Sequence, residues 1–154
     1  MSNNKFNANN ASLSVDLSEA RQAVKENRFQ DALDLFEIIL KDDPDHIDSL
    51  YLAAVSSRYL KNFDESKKFI KQLMIIAPDM GRAYQELGHI FRDMGKIDKA
   101  VVHYRQACEL NPALLASWSA LYKYFTENKN QPAADHAREQ IEKLQSLPSA
   151  LLYI

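Results

Sequence analysis

Pro44, Pro78 and Pro112 stand at intervals of 34 residues, and this spacing constrains the fold more than any other feature of the chain. Inside a helix a proline removes a hydrogen bond and clashes with the preceding turn, so each of the three marks the end of a unit. Small residues keep the same phase. Ala20, Ala54 and Gly88 share one position early in each interval, and Ala32, Ser66, Ala100 and Ala134 share one later in it. Two antiparallel helices approach to about 8–10 Å only where the side chains at their crossing are small. The phased small residues therefore predict helix pairs, with large residues flanking each crossing: Leu17 and Phe36, Leu50 and Phe69 or Ile70, Tyr84 and Tyr104.

The spacing predicts helices at about 14–27 and 30–42, 47–60 and 64–76, 81–94 and 98–110, and 115–128 and 132–145. Their joints are NRF at 27–29, KNF at 61–63, GKI at 95–97 and NKNQ at 128–131, where Gly95 or an Asn is expected to take the left-handed backbone that ends such helices. Single helices of this length are marginal in water, so the pairs must stack to bury a core. The last pair departs from the pattern. Tyr122 stands where the other units carry Ala or Gly, Arg138 replaces Phe36 and Tyr104, and Ser146 replaces the boundary proline. Loosened packing is expected there.

The composition excludes several functions. A net charge of −2 lacks the basic footprint of a nucleic-acid binder. One cysteine, Cys108, provides neither a disulfide framework nor a structural zinc site, and suits a reducing compartment. The first dozen residues, MSNNKFNANNAS, lack the apolar core of a signal peptide and read as a disordered polar tail. No apolar run is long enough to span a bilayer. The expectation is a soluble, cytoplasmic protein.

Residues 81–114, GRAYQELGHIFRDMGKIDKAVVHYRQACELNPAL, carry the order Tyr84, Leu87, Gly88, Phe91, Ala100, Tyr104, Ala107, Pro112. This order resembles the tetratricopeptide repeat (TPR), a 34-residue helix–turn–helix unit. The resemblance extends over about residues 13–146 as four units, 13–46, 47–80, 81–114 and 115–146. It implies an all-α fold, a right-handed α-solenoid whose concave groove, lined by the first helix of each unit, holds a peptide or an extended protein segment. A narrower likeness, in WSALYKYFTENKNQPAADHAREQIEKLQSLPSALL, is to the repeats that precede a sulfotransferase domain in bacterial proteins. By that likeness the chain would be the substrate-positioning or self-association arm of a larger enzyme. Residues 147–154 read as the start of a further helix or as a capping segment. The charge-free run SALLYI suggests either a chain cut from a longer protein or a surface for self-association.

No catalytic constellation is present. His46, His89, His103 and His136 fall at four different repeat positions and form no His-Glu-x-x-His pair, and the three glycines form no phosphate loop, so neither metal nor cofactor is expected. By analogy with the family, the groove would be lined by Arg21 and Lys25; by Tyr51, Arg58 and Tyr59; by Arg82, Gln85, His89 and Arg92; and by Lys123. The same faces also carry Asp48, Asp93 and Glu127, but bases outnumber acids there, which implies an acidic protein or peptide partner, with Tyr51 and Tyr59 as anchors. The Lys, Asn and Arg set with which chaperone-tail binders hold a terminal carboxylate does not appear in register.

Overall fold

The computed structural model describes residues 17–148. The expected polar tail at 1–12 and the run from Ser149 lie outside the described residues. Among the described residues eight helices follow one another: α1 (17–25), α2 (Phe29–Asp42), α3 (Ile47–Tyr59), α4 (Phe63–Ile76), α5 (Gly81–Asp93), α6 (Ile97–Leu110), α7 (Leu115–Glu127) and α8 (Gln131–Gln145). From α2 onward each boundary falls within one residue of its predicted place. The chain divides into two compact units after Pro78.

In the first unit α1 and α2, then α3 and α4, form antiparallel hairpins, with α2 also packed on α3. Ala20, Ala23, Ala32, Leu33, Phe36, Ile39 and Ala53 form a continuous core. At the second crossing the small residue is a serine, and its Oγ donates to the Ala54 carbonyl at 2.6 Å across the hairpin. Helix α3 is buried on an unusually broad front for its length: Ser49, Leu50, Ala53, Ala54, Ser56, Ser57 and Arg58 are all inside. The hydroxyls of Ser56 and Ser57 are buried there with no hydrogen-bond partner.

The second unit repeats the plan with α5 to α8. Ala100, Val101, Tyr104, Cys108, Leu121, Phe125, Ala134 and Ala137 form its core. Gly88 shows why a small residue is required at the crossing. A Cβ there would lie 2.6 Å from two carbons of the Tyr104 ring, closer than carbon atoms tolerate. Tyr104 is 2% exposed, and its hydroxyl is tied to His89 Nδ1 at 2.8 Å, so the ring cannot yield. In the last hairpin Tyr122 and Arg138 stand at the positions of Gly88 and Tyr104. Arg138 takes the place of the ring, so there is nothing for Tyr122 to strike. Both side chains lie at the surface, with Arg138 paired to Asp135 at 3.1 Å, while Leu121, Phe125, Ala134 and Ala137 close the core.

All four hairpin turns share one backbone geometry. Asn27, Lys61, Gly95 and Lys129 occupy the same repeat position, and all have positive φ, between 56° and 77°. The following residue reaches back five places in each turn: Arg28 N–H to Ala23 O, Asn62 to Ser57, Lys96 to Phe91, Asn130 to Phe125, at 2.8–2.9 Å. These are Schellman closures, which use up helix-terminal carbonyls. In two turns the left-handed residue is a lysine, where the sequence pointed to an adjacent asparagine. Closure of the hairpin fixes the conformation and overrides residue preference.

The two non-terminal glycines of α5 and its turn should respond differently to substitution. Gly88→Leu is expected to lose about 1–3 kcal/mol or more to overpacking. A Cβ at Gly95 meets nothing within 4 Å, so Gly95→Ala should lose only the cost of a left-handed alanine, about 1–2 kcal/mol. Urea unfolding of both variants checks this, and an unshifted midpoint for Gly88→Leu would refute the close-packing argument.

Candidate functional site

The first-helix faces expected to meet a partner are best followed unit by unit. In the first unit Arg21 of α1 reaches Asp48 of α3, with Nη2 to Oδ2 at 2.5 Å. Lys25 ends the helical part of α1 and is exposed. Tyr51 is half-buried. Arg58 departs from expectation. It is only 7% exposed, and its guanidinium lies 4.5 Å from the centroid of the Tyr59 ring. Tyr59 is 56% exposed and stacks on Phe29 at 4.3 Å with the rings parallel to 1°. Arg58 is therefore a packed residue of α3, supported by a cation–π contact, and does not present an open charge.

In the second unit Arg82 is exposed in the first turn of α5. Gln85 is half-buried, and its Oε1 accepts a bond from Ser117 Oγ at 2.8 Å, which ties α5 to α7. The next turn of α5 brings His89 and Arg92 together, with Arg92 Nη1 3.2 Å from His89 Nδ1. An arginine only donates, so in this contact Nδ1 acts as the acceptor. The Arg92 guanidinium also grips Asp93, through Nε at 3.0 Å and Nη2 at 2.9 Å.

His89, Arg92 and Lys123 line one cleft of about 430 Å³. Its floor comes from α6, with Ile97, Ala100, Val101 and Tyr104, and its far wall from α7, with Ala116, Ser119, Ala120, Tyr124 and Glu127. Tyr124 is held in place by donating to Asp98 Oδ1 at 3.1 Å. That bond, with lesser contributions from burial and from the charge of Asp98, raises the pKa of the phenol. Arg82 and Gln85 do not reach the cleft. The sequence reading missed most of the apolar lining because Ile97, Val101 and Tyr124 look like ordinary core residues.

One pair of positions at the cleft differs between the units. His89 and Ala116 correspond in repeat position to Arg21 and Asp48. In the first unit a charged pair spans those positions, whereas in the second an alanine faces the histidine and the space stays open. That signal was available at position 116.

A second hollow of about 500 Å³ lies between α6, α7 and α8, lined by Cys108, Trp118, Leu121, Phe125, Ala133, His136 and Ala137, with Arg105, Glu109 and Pro112 at its edge. Trp118 Nε1 donates to the Pro112 carbonyl at 2.9 Å, and Arg105 lies 5.1 Å from the centroid of the Phe125 ring. Burial, assisted by the charge of Glu109, pushes the Cys108 thiol up to about 12. Among the described residues no three His, Cys, Asp or Glu side chains are grouped to hold a metal. No described helix is long and apolar enough to cross a membrane.

Comparison with known proteins agrees with this architecture. Residues 81–114 match the tetratricopeptide repeat family profile. Over 158 residues the chain is 21% identical to human tetratricopeptide repeat protein 13, covering 96% of this chain and 18% of that protein. The chain thus spans about a fifth of that relative. A solved structure of MamA from Desulfovibrio magneticus superposes with a TM-score of 0.72 at 17% identity, covering 86% of this chain and 75% of the other. An O-GlcNAc transferase from Thermobaculum terrenum gives 0.70 at 18% identity, over 81% of this chain and 23% of the enzyme chain. The fold is all-α, built of helix–turn–helix repeats like those of these structures, and residues 81–114 form a tetratricopeptide repeat.

The buried thiol gives a direct check on the second hollow. With its pKa near 12, Cys108 should carry roughly a thousandfold less thiolate at pH 8 than an ordinary thiol near 8.5–9. Alkylation by iodoacetamide should be correspondingly slow in the native protein and rapid in denaturant. Equal rates in the two conditions would show that the thiol is not buried as described.

Proposed function

We propose that this chain is a non-catalytic protein-interaction scaffold and that the cleft of its second unit holds an extended segment of a partner protein. The observation that carries this reading is the open space over Ala116 and Ala120, where a floor of apolar side chains meets a rim of charged ones. Binding sites share that composition: apolar surface supplies the driving force, and a few polar groups fix orientation. An acidic residue on the partner suits the cleft rim through Lys123, while Arg21 and Arg58 are already engaged within the first unit. A cytoplasmic setting and self-association through the run after Pro148 belong to the same proposal, and neither is needed for the cleft to act.

A second reading makes the repeats an arm of a larger enzyme, such as a sulfotransferase. The fold match within the longer O-GlcNAc transferase chain favours the general form of that idea. The sulfotransferase version rests on the sequence resemblance alone. In either reading the cleft is the contact surface.

The test fills the space. Ala120 lines the cleft and is partly exposed, so Ala120→Arg should block a ligand while leaving the core intact. For a partner captured by the full chain and then purified, calorimetry should show at least tenfold weaker binding to Ala120→Arg, with an unchanged circular dichroism melt. Equal affinity for both proteins would place the interaction elsewhere.

A further inference from the structure

We infer that the cleft reads two opposite charges set two residues apart on an extended segment, an acidic side chain at Lys123 and a basic one at Glu127. The inference rests on the cleft being the binding site. Helix α7, LASWSALYKYFTE, has only two charged residues, Lys123 and Glu127, and both line the cleft. Both are exposed, and among the described residues neither is ion-paired to the other or to any third group. The cation across the cleft is already engaged: Arg92 is held by Asp93 and by His89. Lys123 and Glu127 are therefore the charges left for a ligand to balance.

Glu127 is placed against the intrinsic field of its helix. It is the last residue of α7, where exposed carbonyls make the helix end negative, and no basic residue stands in that last turn. A cation brought by a ligand would offset both the carboxylate and the helix end. Lys123 calls for the opposite charge one turn earlier.

The spacing selects the form of the ligand. Four residues of helix rise about 6 Å. In an extended chain, residues two apart lie on the same face and are separated by about 6.6 Å. An extended segment lying along α7 therefore places residue i on Lys123 and residue i+2 on Glu127, with the residue between them facing away. One further step of two in the other direction falls between Ala120 and Ala116, over the apolar floor of Ile97 and Val101. The recognised pattern is an apolar residue, then an acid, then a base, at alternate positions. A helical ligand would place its charges at other intervals.

Selection from a displayed library of random linear peptides on the full chain tests this. The wild-type pool should be enriched in opposite charges two positions apart, in one fixed order along the chain. The double variant Lys123→Glu with Glu127→Lys should select the reverse order. A synthetic peptide from the wild-type pool should bind Lys123→Glu roughly tenfold more weakly, since a favourable exposed charge contact becomes a repulsive one. A wild-type pool without the charge pair, or a double variant that keeps the wild-type order, overturns the inference. Selection on Ala120→Arg separates the two levels of the argument. Loss of the wild-type peptides there supports the cleft as the site, whereas their persistence overturns the cleft itself along with the charge pattern.

Discussion

The close approach of two helices at a crossing with no room for a side chain is the constraint on which the rest of this structure depends. At Gly88 it is most severe, because the Tyr104 ring occupies the place of a Cβ. That contact fixes the ring, the ring hydroxyl reaches His89, and His89 in turn meets Arg92. A packing requirement in the hairpin thus helps to orient a side chain in the cleft. Core and site are joined through one tyrosine.

The two units differ in side chains on an otherwise repeated frame. Helices α2 and α3 begin and end at positions equivalent to those of α6 and α7, and the turns of both units close with the same bonds. In the first, an exposed ion pair between Arg21 and Asp48 crosses the space between first helices. Such a pair adds little to stability, on the order of 0–1 kcal/mol. At the equivalent positions of the second unit His89 and Ala116 line the cleft instead.

Much of the fold was legible in the sequence because the signals were covalent or steric. Proline ends a helix whatever surrounds it, and small residues at fixed phase report a crossing. The turns were less legible. Lys61 and Lys129 have no preference for left-handed backbone, and only closure of the hairpin places them there. What Tyr122 does depends on the residue opposite: beside a tyrosine it would collide, and opposite it here is the exposed Arg138. The candidate site was legible in part. Repeat phase placed His89, Arg92 and Lys123 on facing helices, and the structure brings all three to one cleft. Phase could not show that Arg58 turns inward or that Arg21 is engaged, because side-chain partners are chosen in three dimensions.

The silent hydroxyls of Ser56 and Ser57 give α3 a particular standing in the molecule. A buried hydroxyl without a partner forfeits its water, at about 1–3 kcal/mol, and receives nothing in return. Two of them on successive residues put that cost on the helix that bears Tyr51, Arg58 and Tyr59.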